Sequence, residues 1–176
     1  LPEPFFVMAT QNPIEHEGTY RLPEAQVDRF LLKILLTYPG KEEERKIIRL
    51  FDSAAEGPAV KPVIGTEDIA FLKRHCSGIQ VQEELQNYMV EIVRTTRSLS
   101  NAYISFGASP RGAIALNICS KITAWLNGRD YVLPEDIKAA VFPVLRHRLI
   151  LSYEAESEGL SPDAIIEQIL QSLPIP

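Results

Sequence analysis

Read by its apolar positions, the chain changes character about a third of the way along. Residues 5–8, Phe-Phe-Val-Met, form an apolar run with no alternation, which predicts a strand buried on both faces, as inside a parallel sheet. A second run, Phe-Leu-Leu-Lys-Ile-Leu-Leu over residues 30–36, predicts another. Between them, residues 14–20 read as a charged, Gly-containing loop, and residues 22–27 have room for one short helix. Tyr38, Pro39 and Gly40 interrupt the pattern before residues 41–46 open a helix. In that helix Glu42 reaches Lys46 at i,i+4, and Ile47, Ile48 and Phe51 supply the buried side. Residues 57–62, from Gly57-Pro58 to Lys61-Pro62, predict an extended linker.

Beyond the linker the apolar spacing is helical. Thr66 is the expected N-cap of a short helix holding Ile69, Leu72 and Cys76. A longer helix carries Leu85, Met89, Ile92, Val93, Thr96 and Leu99. Ser109-Pro110 is a strong start signal, with Ser as the cap and Pro at the first helical position. Ile114, Ile118, Ile122 and Trp125 then line one face until Asn127-Gly128 stops the helix. Pro134-Glu135-Asp136 opens the next helix, with Ile137, Ala140 and Val141, and Pro143 is expected to break or kink it. Ser161-Pro162-Asp163 starts the last, which carries Ile165, Ile166, Ile169, Leu170 and Leu173. The expected architecture is therefore an incomplete α/β sheet followed by a mainly α bundle, with borders at 1–40, 41–62 and 63–176.

Composition narrows the function classes. A net charge of −5 argues against whole-surface attraction to nucleic acid or anionic lipid. Cys76 and Cys119 fall far apart on helical patterns, and no Cys/His spacing supports a metal site; both read as small core residues. No apolar stretch has membrane-spanning length. The chain runs almost directly into a core strand without an initiator Met, so the natural N-terminus is expected to lie upstream.

Three polar positions invite a chemical reading beside a plain one. Asn12-Pro13 is a common turn pair. Yet Asn12 also follows the carboxyl end of a predicted strand, where ligands bind in open α/β sheets, and its amide can hold a water beside a nucleotide phosphate. Asp28-Arg29 is either a surface pair or a cation poised for a neighbouring subunit's phosphate site. Arg111 falls in the first turn of its helix, where the macrodipole already disfavours a cation. An anion arriving there would be held by the helix N–H groups and the arginine together. His16, His75 and His147 show no ligand spacing, and Arg146-His147-Arg148 suits the negative end of a helix.

At these residues the sequence resembles a known family. Residues 9–20, ATQNPIEHEGTY, followed by residues 22–30, LPEAQVDRF, are similar to the signature of the MoxR family of AAA+ ATPases. The stretches GASPRG, residues 107–112, and VLRHR, residues 144–148, resemble the family's helical lid. By that resemblance Asn12 is the sensor 1 residue, Arg29 the arginine finger and Arg111 the sensor 2 arginine. The resemblance also implies ATP and Mg²⁺ in the full-length protein, a ring oligomer, expected to be a hexamer, and chaperone-like action on client proteins. A von Willebrand factor A domain partner and a cytoplasmic setting in a bacterium or archaeon belong to the same expectation.

Two departures qualify the match. Arg21 stands where the family has proline. The sequence also contains no GxxxxGK followed by Ser or Thr, and no apolar strand ending in adjacent acids. The chain thus resembles the second half of such an ATPase, from the sensor strand onward, and by itself is expected to bind no cofactor and to be inactive. The alternatives are a DNA-translocating AAA+ ATPase, against which the acidic balance weighs, and a non-catalytic helical protein-interaction module.

Overall fold

The computed structural model describes residues 3–11, 22–53, 60–98 and 102–176. The chain is mainly helical. In order it forms α1 (Glu24–Val27), α2 (Lys41–Ser53), α3 (Thr66–Ser77), α4 (Glu83–Thr95), β1 (Ile104–Phe106), α5 (Pro110–Leu126), α6 (Pro134–Leu145), β2 (Ile150–Leu151), α7 (Tyr153–Ser157) and α8 (Pro162–Ser172). Among the described residues the one sheet pairs β1 with β2 antiparallel, Ile104 opposite Leu151 and Phe106 opposite Ile150. Strands this short leave almost no period-2 signal, which is why the sequence pattern did not announce them.

The core lies between α4, α5, α6 and α8. Met89, Ile92 and Val93 of α4 meet Leu116 of α5, Ile137, Val141, Val144 and Leu145 of α6, and Ile165, Ile166 and Ile169 of α8. Of the predicted faces, Leu85, Met89, Ile92 and Val93 of α4 and Ile165, Ile166 and Ile169 of α8 are buried, Leu170 and Leu173 are half-buried, and Leu99 lies outside the described residues. On α5 three of the four residues of the expected face are turned outward: Ile114, Ile118 and Ile122 are exposed and Trp125 is half-buried against the core, while Gly112, Ala115, Leu116, Cys119, Ser120 and Ala124 are buried. The reason is close approach of α6. A Cβ on Gly112 would stand 3.2 Å from Leu145 Cδ2, so the α5 side facing α6 is built from small residues and apolar spacing alone selects the wrong stripe.

Helix ends follow their signals with two exceptions. Ser109 and Ser161 cap α5 and α8, accepting from the backbone N–H groups of Arg111 and Ala164, each with Pro next in line. Gly128, at φ 73°, ends α5 in the left-handed region that Gly adopts freely. Gly65 rather than Thr66 is the N-cap of α3, and its N–H donates to Asp68 Oδ2 at 2.7 Å. Pro143 does not end α6, which runs on to Leu145; the proline withholds one backbone donor near the helix end, and the helix closes two residues later.

The predicted parallel strands at 5–8 and 30–36 are not formed. A parallel strand needs neighbours to satisfy its backbone and cover its faces, and no strand lies beside either run among the described residues. Phe6 and Leu36 are accordingly 83% and 92% exposed. The side of α2 expected to be buried is also open, with Ile47, Ile48 and Phe51 in solvent, and Glu42 pairs with Arg45 at 2.6 Å instead of reaching Lys46. The loop at 14–20, Arg21 and the start of the linker at 57–59 lie outside the described residues.

Candidate functional site

The loop before α5 is shaped by one buried threonine and one glycine. Thr96, at the end of α4, donates through Oγ1 to Val93 O at 2.6 Å and accepts from the Ala108 N–H at 2.9 Å. Gly107 passes so close to this turn that an added Cβ would lie 2.2 Å from Thr96 O. The backbone is thereby fixed just before Ser109, and with it the direction in which Arg111 leaves the first turn of α5.

An internal carboxylate lies at that helix terminus. Asp28, in the turn after α1, accepts from Ser109 Oγ at 2.9 Å and from Arg111 Nη1 at 3.2 Å, both at Oδ2. Its other oxygen, Oδ1, takes Arg148 Nε at 3.2 Å. Burial raises the Asp28 carboxyl, but the Ser109 and Arg111 hydrogen bonds and the Arg148 and Arg111 charges outweigh it, so the group lies below its ordinary value. Asp28 is therefore a carboxylate, placed where the α5 macrodipole favours one.

Arg148 is the most deeply placed charge of the cluster, its side chain only 2% exposed. Burial disfavours its charge and the Asp28 carboxylate opposes that effect. Beyond the ion pair it donates to the carbonyls of Asp28 at 3.2 Å, Phe30 at 2.7 Å and Leu31 at 3.2 Å, and to Val144 O. Its neighbours complete the junction. Arg146 grips Asp163, in the first turn of α8, with two bonds of 3.0 and 2.9 Å, and the His147 Nε2–H donates to Phe30 O at 3.0 Å. Pro143 O, near the end of α6 where carbonyls lack helical partners, accepts the Lys33 N–H at 2.8 Å.

Residues 28–33 are thus laid along the end of α6 by backbone contacts. In the sequence Arg146, His147 and Arg148 read as helix-end residues, and their pattern does not reveal this junction. The available signal was burial: two arginines and a histidine run between Val144-Leu145 and Leu149, in a stretch too apolar to leave all three in water.

The predicted site residues are distributed as follows. Asn12 lies outside the described residues. Arg29 is exposed, one peptide bond from Asp28, and among the described residues its side chain makes no ion pair. Arg111 is 58% exposed and bound to Asp28. Arg29 and Arg111 are therefore brought to one junction through the aspartate between them. Among the described residues no three His, Cys, Asp or Glu side chains are grouped to hold a metal ion. Nor is any helix among them long and apolar enough to cross a membrane. Cys76 and Cys119 are buried free thiols, and burial pushes Cys119 up to about 11.

Comparison with known proteins gives this arrangement a family. Residues 96–169 match the AAA lid domain, and residues 1–32 match the ATPase family associated with various cellular activities. Along its whole length the chain is 42% identical to Chaperone MoxR1 of Mycobacterium tuberculosis, covering 48% of that protein. Protein MoxR of Paracoccus denitrificans is 32% identical over 97% of the chain, which covers 56% of it. The chain belongs to the MoxR family of AAA+ proteins. A MoxR-family chain of this kind also matches YeaC of Bacillus subtilis, at 43% identity over all of the chain and 54% of YeaC. The crystal structure of a candidate ATPase from Cytophaga hutchinsonii superposes with a TM-score of 0.91 at 45% identity, covering all of this chain and 56% of that one. The MoxR-family chain spans about half the length of the curated relatives it matches.

Proposed function

We propose that this chain contributes the lid and the arginine-bearing edge of a nucleotide site in an ATP-hydrolysing ring that remodels or assembles other proteins. Family membership supports the ATPase reading, and the name of the mycobacterial relative, Chaperone MoxR1, supports the chaperone-like one. The observation that carries it in this chain is the Asp28 junction, which holds the Arg29 turn against the first turn of α5 and its Arg111. In this reading Asn12 orients the attacking water, Arg111 contacts phosphate in its own subunit and Arg29 enters the neighbour's site. Water oxygen bonds to the γ-phosphorus as the bond to the bridging oxygen breaks, and the two arginines offset charge on the transferring group. Mg²⁺, which the family implies, would supply further charge neutralisation. We extend the reading to residues 1–40 as part of the nucleotide-binding core, 41–62 as connection and 63–176 as lid, and to a cytoplasmic hexamer with client proteins and a von Willebrand factor A domain partner.

The test is Arg29→Ala in the full-length protein. Nucleotide binding should stay near wild type while hydrolysis falls ~10³-fold or more, the scale of an arginine finger. Mixing these subunits with subunits disabled in their own nucleotide site should restore part of the activity, because one interface then combines an intact site with an intact arginine. Mixed rings that assemble and stay inactive would remove Arg29 from the neighbour's site.

A further inference from the structure

We propose that Asp28 is a positioning residue that competes with a nucleotide phosphate for Arg111 and thereby couples nucleotide binding to the placement of Arg29. The inference rests on the reading above, in which both arginines serve nucleotide sites. It goes further by giving the aspartate between them a task of its own.

The two arginines on Asp28 are not equivalent. Arg148 is bound at Oδ1, is 2% exposed, and is held by the carbonyls of Asp28, Phe30, Leu31 and Val144. It cannot leave without abandoning all of them in a buried place. Arg111 is bound at Oδ2, is 58% exposed and, among the described residues, makes its ion pair with Asp28 alone. An anion approaching the N-terminus of α5 therefore meets one guanidinium free to turn toward it and one that is fixed. When Arg111 turns, Asp28 keeps Arg148 and the Ser109 hydroxyl, so its charge stays compensated. What the exchange forfeits is one exposed ion pair, on the order of 2- to 5-fold in an equilibrium constant.

The same aspartate borders Arg29. Arg148 binds the carbonyl before Arg29, Asp28 O at 3.2 Å, and its own carbonyl's successor, Phe30 O at 2.7 Å. The Arg29 N–H is taken by Gln26 O at 3.1 Å. Backbone on both sides of Arg29 is thus clamped while its side chain stays in solvent, the condition for a group that must reach across an interface. Drawing Arg111 off Oδ2 changes the hydrogen bonding of the residue directly before it.

The experiment uses the full-length protein, the Kd for ATPγS with Mg²⁺, and kcat at saturating ATP. Asp28→Asn keeps a hydrogen-bonding group and removes the charge that holds Arg111. Because Arg148 then loses its counter-ion, the paired variant Asp28→Asn/Arg148→Gln, which removes both buried charges together, serves where the single variant fails to fold. Either should bind ATPγS about 2- to 5-fold more tightly while kcat falls, and the tightening should vanish in an Arg111→Ala background. A purely structural aspartate would not tighten binding when replaced. Unchanged or weaker binding in both Asp28 variants, with Arg111→Ala itself clearly weaker, overturns the competition and leaves the reading of Arg111 standing. If Arg111→Ala leaves ATPγS binding unchanged, that reading falls and this proposal with it. Tighter binding with kcat unchanged overturns the link to Arg29.

Discussion

The carboxylate of Asp28 and the guanidinium of Arg148 meet at 3.2 Å across 120 residues of sequence, one 16% and the other 2% exposed. Such a pair adds little net stability when complete, but removing one member strands the other. Asp28→Ala should cost about 3–5 kcal/mol, the loss typical of a broken buried pair. Chemical denaturation of the chain at neutral pH checks it. A loss below about 1 kcal/mol, the range of surface pairs, would mean that solvent reaches Arg148 freely.

Arg111 should behave in the opposite way. Its side chain is 58% exposed, so its pair with Asp28 stabilises the fold by less than about 1 kcal/mol, and the α5 macrodipole opposes its charge by a few tenths. Arg111→Ala should leave the denaturation midpoint of the chain almost unmoved. In the full-length protein it should weaken ATP binding by about one to two decades, the scale of a charge-assisted contact, with partial rescue in Arg111→Lys. A midpoint several degrees lower with ATP affinity untouched would make the residue a structural anchor.

Gly107 is expected to tolerate nothing larger. A Cβ 2.2 Å from a backbone carbonyl oxygen cannot be accommodated by turning a side chain, so Gly107→Ala must shift the α4 end or the α5 start, at about 1–3 kcal/mol. Since that loop aims Arg111, ATP binding in the full-length protein should weaken as well. The two effects are read separately by denaturation and by nucleotide titration, and normal values in both would show that the loop relaxes without strain.

His147 supplies a pH dependence. With Nε2–H donating to Phe30 O, its Nδ1 is buried without a partner among the described residues, and burial, with Arg148 and Lys33 nearby, pulls its pKa below 6.5. The unfolded chain takes up the proton first as pH falls. Stability from the neutral ring is therefore complete above the unfolded value and declines as pH drops through it toward the folded one. His147→Gln can keep the bond to Phe30 O but cannot titrate. Between pH 7.5 and 5.5 the wild-type midpoint should fall further than that of the variant; parallel curves would remove His147 from the acid response.

Much of the helical part was legible because its signals are local. Ser109-Pro110, Asn127-Gly128 and Ser161-Pro162 each mark a helix end through chemistry confined to a few residues. The buried stripe of α5 was not, because Gly112 and Ala115 acquire their meaning only from α6 pressed against them. The junction was half legible. Arg111 could be singled out by its conflict with the helix dipole, whereas the apolar setting of Arg148 signals burial without revealing its partners, most of which arrive as residues 28–31 from far away in the chain. The parallel strands were read from patterns that presuppose flanking strands, and the described residues contain none beside them.

Arg148, Arg146 and His147 grip carbonyl oxygens of residues 28, 30, 31 and 33, and Pro143 accepts a backbone N–H from Lys33. Every peptide unit offers those groups whatever side chain it bears, Pro excepted as a donor. The seam therefore recognises the path of the segment more than its spelling. Side chains at Leu31 and Lys33 are free to diverge toward whatever a neighbouring surface demands, while Asp28, whose carboxylate no main-chain atom can replace, is not.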